Sequence, residues 1–237
     1  VNAETDFVAK NETFTSFVEA VNAAALASDL QGGKDGEDIE ALLAVPFEGA
    51  TVKDALVEKT ATIGEKLSIR RFEKVAGDVA VSYIHGGGRI GVLVKAETAV
   101  VNDAVKEMAK NVCMQVAALK PQFTNRNEVS AEHIAHEKEI LLAQIMNDPK
   151  ESQKPAKVID GIVTGRINKE LKEICLLDQV YVKAEDGKQS VGKYVESVAK
   201  EVGAPIAVKS FVRFETGEGM EKREDDFAAE VAKQAGM

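Results

Sequence analysis

Apolar residues recur at three-to-four spacing in Phe14, Phe17, Val18, Val21, Ala24 and Ala25, which predicts an amphipathic helix over residues 12–30. The run Gln31-Gly32-Gly33-Lys34-Asp35-Gly36 ends it. A short helical stretch follows at Ile39 to Leu43, and another at Val52 to Gly64, where Gly64 supplies a C-terminal stop. From Leu67 to Val75 apolar and polar residues alternate, the pattern of a half-buried strand whose face is Leu67, Ile69, Arg71 and Glu73 or their neighbours. Two further strands, Val79–His85 and Arg89–Lys95, flank Gly86-Gly87-Gly88 and read as a hairpin closed by a glycine turn. Val101, Val105, Met108, Val112, Cys113, Val116 and Leu119 return to helical spacing over residues 100–119, a helix placed to cover the hairpin.

At Gln122 the text turns polar. Ser130 reads as the N-cap of a charged helix running to about Asn147, with Ile134, Leu141, Leu142, Ile145 and Met146 as its apolar residues. Pro155 opens a second helix whose stripe is Val158, Ile159, Ile162, Val163, Ile167, Leu171 and Ile174. Two helices with narrow stripes and a short connection predict an antiparallel, coiled-coil-like hairpin that projects from the body. Strand-like text returns at Val180–Lys183, then a helix at 191–202, a strand at 207–214, a turn at Glu215–Gly219 and an acidic helix over 221–234. The fold class is α+β with an inserted helical arm.

A length of 237 residues and 45% hydrophobic content suffice for a substantial core. A net charge of −9, with Lys and Arg scattered, points away from nucleic acid and anionic membranes and toward a protein partner. Cys113 and Cys175, each in an apolar helical setting, read as buried reduced thiols of a cytoplasmic protein. No run approaches a membrane span and no export leader precedes the first motif. The chain opens without Met on Val1-Asn2-Ala3-Glu4, which reads as the end of a strand already under way and so as a fragment.

Candidate chemistry is sparse. Gly86-Gly87-Gly88-Arg89-Ile90-Gly91 satisfies G-x-G-x-x-G, but a dinucleotide site needs a helix after the glycines and here a strand follows. His133 and His136 stand beside Glu137 on a helix, a spacing that can hold a metal; no third ligand of known spacing follows, and a solvated charged face is the preferred reading. His85 lies beside the glycines without a neighbouring nucleophile or orienting carboxylate, which suits contact rather than catalysis. Asp6-Phe7 reads either as a helix cap followed by a core ring or as an exposed wedge at a strand-to-helix junction. Glu4-Thr5-Asp6-Phe7-Val8-Ala9 is echoed by Glu224-Asp225-Asp226-Phe227-Ala228-Ala229, either by chance or as a duplicated unit of a two-lobed body.

The segment Val1–Asn11, with Asn2-Ala3-Glu4-Thr5-Asp6-Phe7-Val8-Ala9-Lys10-Asn11, resembles the signature of the bacterial elongation factor Ts family. So do Ile63–Arg71, Tyr83-Ile84-His85-Gly86 with Arg89–Val94, and Phe211–Glu215 with Gly217-Glu218-Gly219, all in the family's order. The resemblance implies a nucleotide exchange factor, not an enzyme, whose partner is the GTPase elongation factor Tu. It implies a core of two lobes, each a small antiparallel sheet packed with helices. It divides the chain into an N-lobe (1–78), two parts of a C-lobe (79–123 and 177–220), a dimerisation-type helical hairpin (124–176) and a C-terminal helical module (221–237). By the same resemblance Thr5, Asp6, Phe7 and Val8 disturb the GTPase's magnesium site. Ile63, Gly64 and His85 face its nucleotide-binding domain, Val182 faces a more distant domain, and Asp226 and Phe227 grip the nucleotide-binding domain. No cofactor or metal of the chain's own is implied. The family's N-terminal helical module is absent before Val1, which predicts weakened affinity and exchange. A homodimer through the hairpin is a further expectation, and a rival reading makes the chain a structural dimerisation module whose tip serves only the core.

Overall fold

The computed structural model describes residues 1–220; the final helix expected at 221–234, with Asp226 and Phe227, lies outside the described residues. The N-terminal region consists of α1 (Asp6–Ala9), α2 (Glu12–Ala27), α3 (Ile39–Leu43), the two-residue strands β1 (Pro46–Phe47) and β2 (Ala50–Thr51), and α4 (Val52–Ile63). Asn11 caps α2 by accepting the N–H of Thr13 at 2.8 Å. Thr51 and Asp54 form a reciprocal capping box on α4. Phe17, Val21 and Ala25 of α2 pack with Leu42, Val52 and Ile69 in one apolar cluster. Each large side chain buried there contributes about 1.5–3 kcal/mol.

The strand expected over Leu67–Val75 does not form. Leu67 and Ile69 are buried as the alternation requires, but no neighbouring strand runs alongside the segment. Its backbone instead touches two separate places, Ser68 opposite Asn2 and Glu73 opposite Gly32. The alternation reported half-burial, and half-burial needs no ladder. The two-residue β1–β2 hairpin is too short to leave a periodic signal.

The second sheet carries most of the core. β3 (Val79–His85), β4 (Ile90–Thr98) and β5 (Ile206–Glu215) are antiparallel in the order β3-β4-β5. Val92, Val94 and Ala96 of the central strand are buried in one core with residues of α5 (Asp103–Leu119) and α8 (Val191–Val202). Val105, Met108, Val112 and Val116 of α5 are fully buried on that sheet, as their spacing predicts. Both cysteines are free and buried, and burial pushes the Cys113 thiol up to about 12.

The expected strand at Val180–Lys183 is reduced to a single antiparallel bridge, Val180 opposite Ser190, followed by a turn at Val182 and Lys183. The buried side chain of Gln115 stands in for a partner strand there: its Nε2 donates to the Val180 carbonyl at 3.0 Å and its Oε1 accepts the Val182 N–H at 2.8 Å. Paired backbone groups remove the need for a ladder.

Between α5 and α8 the chain leaves the body as α6 (Ala131–Asn147) and α7 (Ala156–Ile174), packed through Ile145, Val163 and Ile167. Ser130 caps α6 and Pro155 opens α7, both as expected. At the root of this arm Phe123 lies beside Cys175, and Arg126 pairs with Asp178 at 3.1 Å.

Candidate functional site

Thr5 is extended and its hydroxyl caps α1 by accepting the Val8 N–H at 3.3 Å. Glu65, one residue beyond the Gly64 that stops α4, grips Thr5 from the other side. Its Oε1 accepts the Thr5 hydroxyl at 2.6 Å and its Oε2 accepts the Thr5 N–H at 3.0 Å. Asn2 and Ser68 exchange both backbone bonds, at 2.9 and 3.0 Å. The junction before Asp6 is thus tied twice to residues 65–68, so α1 is held although it buries no residue of its own.

Phe7 on that turn is 84% exposed, the most exposed large hydrophobic side chain among the described residues. The cap is Thr5, not Asp6, and the ring is not core, so the cap-and-core alternative for Asp6-Phe7 does not hold. Asp6 is exposed and accepts from Lys10 at 3.0 Å; this bond holds its carboxyl below the usual range, with a smaller contribution from Arg89. An exposed pair of this kind adds little stability. Val8 is half-buried beneath the turn.

Gly87, Gly88 and Arg89 of the β3–β4 turn line one cleft with Ala9, the last residue of α1. Gly86, Gly87 and Gly88 all have φ between 62° and 96°, a left-handed run that other residues rarely adopt. His85, exposed at the end of β3, shares a 2.9 Å hydrogen bond between its Nδ1 and the Tyr83 hydroxyl. Ile84 beside it is 65% exposed. Behind the tip a cleft of about 340 Å³ runs between α2 and the end of β5, lined by Ala9, Phe14, Arg70, Gly88, Arg89 and Phe214. Its floor is clamped. Arg71 pairs with Glu218 at 3.1 Å and lies 4.4 Å from the centre of the Phe214 ring, while Arg70 donates to the Glu218 carbonyl at 2.8 Å.

Of the expected contact residues, Thr5, Asp6, Phe7 and Val8 therefore form one turn. Ile63 and Gly64 join it through Glu65, with Gly64 at φ 80°. His85 ends β3 next to the glycine turn, and Arg89 on the other side of that turn lines the cleft with Ala9. Val182, 46% exposed, belongs to a different set of contacts, on the loop held by Gln115. Sequence reasoning passed over Glu65, Arg89 and Ile84. Glu65 stands sixty positions from Thr5, so no local pattern joins them. Among the described residues, the group that could hold a metal is His133, Glu137 and Glu170, in the arm rather than at the tip.

An exposed ring on a turn held by directed bonds suits a protein that works by contact, and comparison with known families sets the class as a translation elongation factor. Residues 4–218 match the family described as Elongation factor TS. The chain belongs to the elongation factor Ts family, whose function is nucleotide exchange in protein synthesis. It is 51% identical to Elongation factor Ts of Clostridioides difficile (strain 630), covering 99% of this chain and 74% of the relative. Elongation factor Ts of Clostridium perfringens (strain 13 / Type A) is 46% identical over 100% of this chain and 75% of its own length. That of Syntrophotalea carbinolica is 47% identical over 98% and 74%. No helix among the described residues is long and apolar enough to cross a membrane.

Proposed function

We propose that this chain acts in the cytoplasm on elongation factor Tu loaded with GDP, with Thr5, Asp6, Phe7 and Val8 as the segment that disturbs the magnesium site. The single observation that carries this reading is Phe7, held 84% exposed on a turn that Glu65 and Asn2 pin in place. Magnesium demands near-ideal octahedral oxygen geometry, so a small displacement of the loop that holds it weakens both metal and nucleotide. The role needs no covalent step. Linkage makes factor and nucleotide weaken each other reciprocally.

Magnitude fixes the number of contacts. Inverting a 1:99 population takes about 5.5 kcal/mol of differential affinity, whereas burying one Phe yields about 1.5–3 kcal/mol. Ile63, Gly64 and His85 supply further contacts with the nucleotide-binding domain, Val182 contacts a more distant domain, and Asp226 and Phe227 add the terminal grip. Three separate apolar clusters, around α2, around α5 with the sheet, and within the arm, support division into an N-lobe (1–78), a C-lobe (79–123 with 177–220) and a hairpin (124–176). Stopped-flow release of fluorescent GDP from elongation factor Tu tests the tip: Phe7→Ala and His85→Ala each slow release, and unchanged release by both sinks the reading.

A second role for the arm rests on Leu142, Met146 and Val158, which stay 41–59% exposed on its surface. In this reading they pair two copies of the chain. Sedimentation of an arm deletion that still promotes exchange separates assembly from exchange.

A further inference from the structure

His133 and Glu137 are four residues apart on α6, which sets them on one face of the helix. Antiparallel packing of the arm brings Glu170 of α7 opposite them. One ligand atom from each of the three lies within 4.8 Å of the others. His133 Nε2 is buried and has no hydrogen-bond partner. Glu170 Oε1 is 3.9 Å away, beyond hydrogen-bond reach. Phe123 closes one side, its ring 6.0 Å from the imidazole and edge-on to it.

An ion pair between a protonated imidazole and Glu170 would draw the atoms to about 2.7–2.9 Å. It would also leave Glu137 crowding a second carboxylate. A divalent cation removes both problems: it takes the orphaned nitrogen lone pair and neutralises the two carboxylates. Ligands about 2.0–2.2 Å from a tetrahedral zinc stand about 3.3–3.6 Å from one another, so from atoms within 4.8 Å closing the site takes side-chain adjustments of about 1 Å.

We propose that His133 Nε2, Glu137 and Glu170 form a binding site for a zinc-class divalent transition metal that staples α6 to α7. One imidazole and two carboxylates suit such an ion and leave a fourth position for water. The staple crosses the arm near its root, because His133 stands in the first turn of α6 and Glu170 in the last turns of α7. A bound ion therefore stiffens the arm where it joins the body.

The test uses the whole chain with zinc and cobalt salts alone. Cobalt titration gives the strong visible absorption of a low-coordinate site at one ion per chain. Zinc at about a hundred times its dissociation constant slows hydrogen exchange across residues 131–174 by about 100-fold where exchange proceeds through separation of the helices. His133→Gln and Glu170→Gln abolish both signals, while His136→Gln, on the exposed side of the same helix, keeps both. Only the weak spectrum of aqueous cobalt with the parent chain, protection that persists in either ligand variant, or equal loss in His136→Gln overturns the proposal. The cobalt spectrum of the parent chain decides the matter even where a variant misfolds.

Discussion

Phe7 and Phe17 occupy neighbouring helices of one region and serve opposite ends. Phe17 is 3% exposed and meets Phe47 edge-on at 6.5 Å, inside the cluster that holds α2 against α4. Phe7 is 84% exposed on a one-turn helix that buries nothing. The difference is one of support. Sixteen residues of α2 present a repeating apolar stripe, so its register is set by burial. The four residues of α1 have no stripe, so their position is set by directed bonds from Thr5, Glu65 and Asn2. A ring that must remain outside cannot be located by the hydrophobic effect, and polar bonds locate it instead.

Replacing each ring in turn breaks the comparison most severely. Phe17→Ala costs about 3–5 kcal/mol of stability, measured by denaturant unfolding, because it empties a packed site. Phe7→Ala leaves stability within about 0.5 kcal/mol but removes about 1.5–3 kcal/mol of partner contact, read as slower GDP release. A drop in stability of Phe7→Ala equal to that of Phe17→Ala would erase the distinction. Glu65→Ala sharpens the point about directed bonds. It removes both acceptors that hold Thr5, so two bonds are lost at about 0.5–1.5 kcal/mol each, and amide exchange over residues 5–9 speeds up while the core is unchanged.

The smallest effect concerns pH. Lys120, at the C-cap of α5, and Arg213 both bond Glu215 at the end of β5, at 2.8 and 2.7 Å. They hold its carboxyl at about 2 against an ordinary value of 4.5. The depressed value means that the stabilisation is complete above about pH 4.5 and is lost as pH falls toward 2. Acid titration of unfolding shows a shallower fall through that window for Glu215→Gln than for the parent chain.

Much of the architecture was legible because periodicity reports burial. The stripes of α2, α5, α6 and α7 and the glycine-closed hairpin all fall where the residues place them. What failed was inference about partners. Leu67–Val75 and Val180–Lys183 carry strand-like text, yet their backbone groups are met by isolated bridges and by the side chain of Gln115. Alternation tells which side is buried and not what lies alongside. The same blindness covers the site. The segment Thr5–Val8 stood out through a family resemblance, whereas Glu65, which positions it, is an ordinary helix-end acid until the fold brings it to Thr5. His133 and Glu137 were visible as a pair on one helix, and Glu170 joins them only when α7 folds back.

The adjacency of Phe123 and Cys175 at the root of the arm has a consequence for how such a chain can change over generations. The arm is a detour that leaves and rejoins the body at one spot. Closure entropy grows only with the logarithm of loop length, at about 0.6 kcal/mol per doubling. Insertions, deletions and wholesale replacement between those two residues therefore leave the register of β3, β4 and β5 untouched. The arm is free to drift at a pace the tip cannot follow, because the tip is spelled out bond by bond.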